Sequence, residues 1–503
     1  MIGRCRSVVL AGLAGHVIEV EAHVARGLPA FTIVGLPDAS LTEAKDRVRA
    51  AVASSGVEWP RQRITVNLSP ASLPKSGSGT DLAIAVAVMA AAGAVDAGLA
   101  RELVLLGELG LDGRVHPVRG VLPAVAAAVA RGWVRVVVPA GNADEAELVG
   151  AAQVSAAATL ASVLRALGAD ASAESEEVVR PHAVAPAPVA APDLADVRGQ
   201  GEARMALEVA AAGGHHVLMV GPPGAGKTML AERLPGVLPV LAEAEAIEVT
   251  GIHSLAGTFD AARGLLRRPP IEAPHHTASA ASIVGGGSGL ARPGAVSLAH
   301  AGVLFLDEAP EFPSRVLQTL RQPLERGEIV LHRSHGVTRY PARFQLVLAA
   351  NPCPCGRFTG TGEQCTCSST ARRRYVSRLS GPLLDRIDIQ VAVGAVVRGA
   401  DEPGEATAAV AVRVANARAA AAERLAAHGW TLSVQATGPW LRRHTSRAAC
   451  ADLWRAVDRG TLTARGFDRA LRVAWTLADL QGRGSPGAGE VAQALALRQG
   501  ARA

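Results

Sequence analysis

The sequence predicts an α/β protein of several folding units arranged around a P-loop nucleotide-binding core. Three observations lead there. At 503 residues the chain is too long for one ordinary domain, so two to four units are expected. Two breaks in composition divide it. In the middle third, a short apolar strand runs into a glycine-rich loop and then into a helical stretch.

The bulk composition permits this. Apolar residues make up 49% of the chain and charged ones 19%, enough for real cores and too little charge for a disordered polymer. Of 51 basic residues only Lys45, Lys75 and Lys227 are lysine. That bias fits a GC-rich genome and marks each lysine as a place where arginine does not serve. A net charge of +6 allows a polyanionic partner without requiring one. The apolar run from Leu82 to Val95 is shorter than the roughly 20 residues of a membrane span and reads as a buried alanine-rich helix. Near the N-terminus, Val17-Ile18-Glu19-Val20-Glu21 alternates like a strand and does not continue a signal peptide. Six cysteines, four of them clustered, do not form a disulfide framework. A cytoplasmic protein is expected.

Between Gly168 and Asp193 the chain is rich in Ala, Pro and acidic residues and lacks apolar periodicity, as a linker does. A softer break falls at Arg398 to Glu405, after which the pattern is almost wholly helical. The expected units are an N-terminal α/β domain over residues 1–168, a linker over 169–193, a nucleotide-binding core over 194–397 and a helical domain over 398–503.

In the core, Val217-Leu218-Met219-Val220 leads into Gly221-Pro222-Pro223-Gly224-Ala225-Gly226-Lys227-Thr228. Strand, loop and helix in this order separate a P-loop from a chance match. The glycines turn backbone N–H groups toward phosphates at the positive end of the helix. Lys227 is suited to the β- and γ-phosphates and Thr228 to Mg²⁺. Val303-Leu304-Phe305-Leu306-Asp307-Glu308 supplies the complement, an apolar strand ending in two carboxylates. Asp307 would hold the Mg²⁺ shell and Glu308 would polarise the attacking water.

A third strand, Phe344 to Ala350, ends at Asn351, and Leu379-Ser380-Gly381-Pro382-Leu383-Leu384-Asp385-Arg386-Ile387-Asp388 follows. In this order the motifs resemble AAA+ ATPases, whose fold is expected here. The resemblance implies that Asn351 is the sensor 1 residue at the γ-phosphate, although Asn-Pro is also a common turn. Arg386 would be the arginine finger that reaches a neighbouring subunit's γ-phosphate, worth on the order of 10³–10⁵ in rate. A local pairing of Arg386 with Asp385 or Asp388 is the alternative. Arg465, with Arg472 as runner-up, would be the sensor 2 arginine on a helix that could equally be solvated.

Further stretches are more specific: Asp196-Val197-Arg198-Gly199-Gln200, Ala210 to His216, Ala273-Pro274-His275-His276-Thr277, and Arg292 to His300. Together with Gly302 to Phe312 and Asn351 to Gly356, they resemble the ComM/YifB family of magnesium-chelatase-like ATPases over residues 1–482. The resemblance implies that Val197 to Gln200 line the adenine pocket and that the span from Thr228 to Val303 holds an inserted loop. It also implies that Glu328 to Tyr340 form a pre-sensor-1 hairpin. In a hexameric ring these insertions would face the pore. Arg333 and His335 at the hairpin tip are then candidate phosphate contacts to nucleic acid, or a solvated tip. The pair His275-His276 reads as packing or loop structure, with only Glu272 nearby as a further ligand.

Cys353, Cys355, Cys365 and Cys367 crowd into fifteen positions. They suit a structural Cys₄ zinc site, though the spacing is not C-x-x-C, and free or redox-active thiols are the other reading. Arg372-Arg373-Arg374-Tyr375 follows, a nucleic-acid patch or a solvated face.

Residues 1–168 resemble the Lon-protease fold at Leu73 to Gly79 and at Gly107 to Pro117. The serine position falls on Gly79 and the lysine position on Leu122 to Ala124, so proteolysis is not expected. The family implies ATP, Mg²⁺ and a homo-oligomeric, hexameric DNA translocase acting by branch migration in recombination or natural transformation. A chelatase-type motor that remodels a protein partner is the alternative. Against it stands the N-terminal domain, which is not expected in a chelatase motor subunit.

Overall fold

The computed structural model describes residues 2–34, 40–71, 73, 78–173, 191–287, 291–333, 336–358, 363–379, 381–394 and 404–500. Most of the expected linker, Ser76, His335 and Ser380 lie outside them.

The N-terminal unit is a mixed seven-stranded sheet. Its order is Ala30–Val34, Arg63–Ser69, Ala14–Ala25, Ile2–Ala11, Val104–Leu105, Arg135–Pro139, Gln153–Ala157. Ile2–Ala11 and Ala14–Ala25 form a hairpin in full register from Ile2↔His23 to Ala11↔Ala14. Gly12 turns this hairpin at φ +67°, where only glycine is relaxed. Val104–Leu105 and the two strands beyond it run parallel to Ile2–Ala11. The alanine-rich run forms the helix Asp81–Ala92, buried from Asp81 to Ala91. Residues that are small and apolar on every side let the helix sink into the sheet face, as an all-round apolar helix must.

The central unit is a five-stranded parallel sheet in the order Ile271–Glu272, Val303–Leu306, Gln345–Ala350, Val217–Val220, Ile389–Ala392. Alternation along each strand divides two cores. Val217, Met219, Val303, Phe305, Val347, Ala349, Ile389 and Val391 face one side, packed with the helices Gly201–Gly213, Lys227–Val237, Thr407–Leu425 and Ala464–Leu480. Leu218, Leu304, Leu306, Leu346, Leu348 and Ala350 face the other, against Val296, Phe312, Val316 and Leu383. The C-terminal unit is helical throughout and completes the first of these cores. Its helix Ala464–Leu480 is capped by Thr463, whose hydroxyl accepts from the N–H of Gly466 at 3.1 Å.

Glu328–Arg333 and Gly336–Pro341 pair antiparallel from Glu328↔Pro341 to Arg333↔Gly336, the two strands expected there. The base of this hairpin touches the N-terminal unit, for a Cβ on Gly12 would lie 2.4 Å from the Arg339 carbonyl oxygen. The helix Glu243–Ala256 also meets that unit. Ser254 donates to Glu145, and the Gly120 N–H donates to the Ser254 hydroxyl at 3.0 Å.

Candidate active site

First and third strands of the chain's parallel sheet, Val217–Val220 and Val303–Leu306, flank Gln345–Ala350, and all three deliver polar residues at the same edge. Open parallel sheets bind ligands beyond the carboxyl ends of their strands, where the order reverses. A cleft of about 360 Å³ lies there, lined by Pro223 to Met229, Asp307, Glu308, Ala350 and Asn351. The P-loop turns into it through Gly224 at φ +76° and Gly226 at φ +90°, and the helix Lys227–Val237 starts directly behind. Free N–H groups at that helix start face the cleft, an anion site by construction.

Lys227 is 8% exposed. Its ammonium donates to the carbonyls of Gly221 at 2.7 Å and Pro222 at 2.9 Å, and to Asn351 Oδ1 at 3.1 Å. Burial pulls its pKa below the ordinary lysine value, while Asp307 and Glu308 push back. Thr228 donates through Oγ1 to Asp307 Oδ2 at 2.9 Å. The hydroxyl and the carboxylate therefore converge as two oxygen ligands of the kind Mg²⁺ takes. Asp307 Oδ1 accepts from the Glu308 N–H at 2.8 Å. Glu308 itself sits at φ +50°, a left-handed conformation uncommon for a residue with a Cβ. Glu308 lines the cleft beside Asp307.

Two contacts were not legible in the sequence. Nδ1 of His276 lies 3.4 Å from Glu308 Oε2. The pair His275-His276, read as packing or loop structure, therefore contacts the cleft-lining Glu308 through its second member. The other contact joins the P-loop to the cysteine segment, where a Cβ on Gly356 would fall 2.5 Å from Pro223 Cδ. Neither could be inferred from spacing, since 32 and 133 positions separate the partners.

The remaining candidates distribute unevenly. Gln200, at φ +54°, donates to the carbonyls of Ala225 at 3.3 Å and Gly394 at 2.6 Å, so the expected adenine segment lies against the P-loop. Arg386 is not among the residues that line the cleft. It pairs with Glu325 of its own chain, and its pKa is lowered by burial and then by Arg469, Arg321 and Arg465. Arg465 is exposed at the start of its helix and shares this arginine group, likewise off the cleft. Arg472 is engaged elsewhere, donating to the Ala436 carbonyl at 2.9 Å. Arg333 ends its strand at the hairpin tip, and His335 lies outside the described residues. In the N-terminal unit Gly79 offers no side chain at the expected serine position, Leu122 is buried, and Ser78 donates to Glu108.

The sulfurs of Cys353, Cys355, Cys365 and Cys367 all lie within 4.8 Å of one another and could hold a metal ion. None of the six cysteines is paired in a disulfide. Cys355 is lowered to about 6, chiefly by the Arg357 N–H and then by the Cys353 side chain. No helix among the described residues is long and apolar enough to cross a membrane.

Three family models match this chain. One described as magnesium chelatase, subunit ChlI, matches residues 193–400, and its C-terminal counterpart matches 404–498. A model described as subunit ChlI of Mg-chelatase matches residues 20–142. The N-terminal unit is thus no argument against a chelatase-like motor. An uncharacterized protein of Mycobacterium tuberculosis is 53% identical over 506 residues, covering 100% of this chain and 99% of the relative. Competence protein ComM of Haemophilus influenzae is 40% identical over 492 residues, covering 97% and 95%. YifB of Escherichia coli is 40% identical over 476 residues, covering 93% and 91%. A shorter likeness to the Lon protease of Rhizobium meliloti, 28% identical, spans 27% of this chain and 18% of that enzyme.

Proposed function

Because the chain belongs to the ComM/YifB family of magnesium-chelatase-like AAA+ ATPases, we propose that it is a ring-forming motor that converts ATP and water to ADP and phosphate while moving on DNA. The observation that carries the hydrolysis reading is the convergence of Lys227, Thr228, Asp307, Glu308 and Asn351 on one cleft. In the reaction, P-loop N–H groups and Lys227 hold the phosphates. Thr228 and Asp307 would hold Mg²⁺, which when bound would neutralise charge on the phosphate oxygens. Glu308 orients the attacking water and accepts its proton, and Asn351 fixes that water or the γ-phosphate. Arg386, and with it Arg465, acts on the cleft of the next subunit. The ring this requires is a homo-oligomer, taken as a hexamer. The cysteines form a structural zinc site, and the N-terminal unit, with Gly79 and Leu122 to Ala124 at the expected serine and lysine positions, does not cleave peptides.

DNA as the track is supported by the competence relative and by the chain's basic balance. The phosphate contacts are proposed for Arg333 and His335, read from the sequence as near the turn between the two strands; His335 lies outside the described residues. A second reading, a motor that remodels a protein partner, is favoured by the chelatase descriptions of all three family models. Steady-state ATPase with and without forked or four-way-junction DNA separates the two, with Glu308→Gln as control. Stimulation by DNA that the control loses supports the translocase. Brisk turnover indifferent to DNA overturns it in favour of the protein-remodelling motor.

A further inference from the structure

Four cysteines lie in the segment that follows Asn351 of the nucleotide cleft, and their geometry is that of a ligand set. Cys353 Sγ lies 3.3 Å from Cys355 Sγ and 3.7 Å from Cys365 Sγ, and Cys355 Sγ lies 3.7 Å from Cys365 Sγ. With Zn–S bonds of about 2.3 Å, a tetrahedral site has sulfur–sulfur edges of about 3.8 Å. Cys353 is buried and the other three are half-buried, so the group faces inward. Backbone N–H groups of Arg357 and Phe358 point at Cys353, and those of Arg357 and Thr366 at Cys355. Such donors stabilise thiolate ligands and orient them.

Both ends of the cysteine segment reach the cleft. Asn351 stands two residues before Cys353 and accepts from Lys227 at 3.1 Å. Gly356, in the turn closed by its N–H to the Cys353 carbonyl at 2.9 Å, abuts Pro223 of the P-loop so closely that a Cβ would collide. After Cys367 the helix Ser369–Ser377 brings the buried Tyr375 back to the backbone of Asn351. Arg378 then pairs at 3.0 Å with Glu311, three residues past Glu308.

We propose that Cys353, Cys355, Cys365 and Cys367 bind one Zn²⁺, and that the resulting knuckle clamps Asn351 and Pro223 in place, so that ATP turnover depends on a metal that never touches the nucleotide. The coupling rests on the ATPase reading above; the zinc site does not. Without the ion, four thiols hold the segment only by weak contacts. Asn351 then loses its fixed distance from Lys227, and loosening of about 1 Å in a positioning group is enough to lower a rate by orders of magnitude.

The test uses the full-length chain. Zinc is measured by mass spectrometry, then released with an organomercurial while an indicator dye reports it, and restored by thiol and Zn²⁺. Cys5 and Cys450, the two other cysteines, are buried and thus protected. Turnover and the affinity for a fluorescent ATP analogue are followed throughout. Roughly one zinc per chain is expected, with kcat falling at least about tenfold on release and recovering on reloading. Gly356→Ala gives a second reading without touching a ligand: it should keep zinc yet bind nucleotide more weakly and turn over more slowly. Absence of zinc in freshly purified protein overturns the site. Release that changes neither kcat nor analogue affinity overturns the clamp and leaves the site standing. A zinc-loaded chain that binds the analogue but never hydrolyses ATP defeats the ATPase reading. In that case loss of analogue affinity on zinc release still supports the clamp, and unchanged affinity overturns it.

Discussion

Nδ1 of His276 lies 3.4 Å from Oε2 of Glu308, joining the segment after strand Ile271–Glu272 to the carboxylate that ends Val303–Leu306. His276 packs against two rings, with centroids 4.0 Å from His275 and 6.5 Å from Phe312, the latter edge-to-face. Glu308 is half exposed, and among the described residues His276 is the side chain that pairs with its carboxylate. His276 is therefore a positioning residue for the carboxylate. His276→Ala is expected to lower kcat for ATP about tenfold, equivalent to about 1.4 kcal/mol, with KM little changed. Glu308→Gln, which removes the base, should lose about 10²–10⁴. His276→Asn, which keeps a donor, should recover part of the loss. A raised KM with unchanged kcat would show that His276 serves nucleotide binding instead.

Arg386 is predicted to act between subunits. In its own chain it is occupied by Glu325 and lies off the cleft. Arg386→Ala should retain nucleotide affinity and lose about 10³–10⁵ in turnover. Mixing it with Lys227→Ala, inactive alone, should restore activity, because some junctions then combine an intact P-loop with an intact finger. Mixtures that stay inactive at concentrations where rings form would place the arginine's action within one chain.

Acid should weaken the central unit through His216. Its Nδ1 accepts from the Leu346 N–H at 3.0 Å, which requires a neutral ring. Burial, reinforced by Arg469 and His215 against the opposing Asp388, lowers its pKa from 6.5 to about 4. The unfolded chain therefore binds the proton first as pH falls. The stabilisation is complete above about pH 6.5 and is lost as pH drops toward 4. His216 is only half-buried as a residue, so the loss is set at about 1–3 kcal/mol. Asp388 does not contribute in this window. Burial would raise it, but Arg469 at 2.6 Å and His215 hold it well below the usual carboxylate range. Thermal melts between pH 7 and 4 should show the fall, and His216→Asn, whose amide oxygen can replace Nδ1, should flatten it. A parallel slope in the variant would assign the effect to other groups.

What the sequence made legible follows from range. The P-loop, the paired carboxylates and Asn351 each end an apolar strand, and a strand's alternation and its terminus are local properties that a reader of the chain can see. The buried helix Asp81–Ala92 and the hairpin Glu328–Pro341 are local in the same sense. His276 at Glu308, Gly356 at Pro223 and Glu325 at Arg386 are not. Each depends on how the sheet order places distant segments side by side, and no periodicity encodes that order. The cysteines fall between the two cases. Their clustering was visible, but only the fold shows that Gly356, next to Cys355, abuts Pro223 of the P-loop.

The N-terminal unit is predicted to be mechanically tied to the motor through Gly120. This residue sits at φ +76°, and a Cβ there would lie 2.6 Å from Leu10 Cδ1 and 2.7 Å from Leu255 Cδ2. Around it, Glu145 accepts from the Leu122 N–H at 2.9 Å and from Asn142 at 3.2 Å, and also from Ser254 of the helix Glu243–Ala256. Gly120→Val therefore combines a left-handed backbone, costing about 1–2 kcal/mol for a residue with a Cβ, with overpacking of about 1–3 kcal/mol. The contact should yield before either unit unfolds, since both have separate cores. Hydrogen exchange is expected to accelerate in Glu243–Ala256 and around Gly120, while the strands of both sheets stay protected and ATP affinity is unchanged. If DNA stimulation of turnover disappears with basal ATPase intact, the N-terminal unit transmits the response. If stimulation survives in the loosened protein, the DNA signal enters through the central unit alone, and the hairpin Glu328–Pro341 becomes the place to seek it.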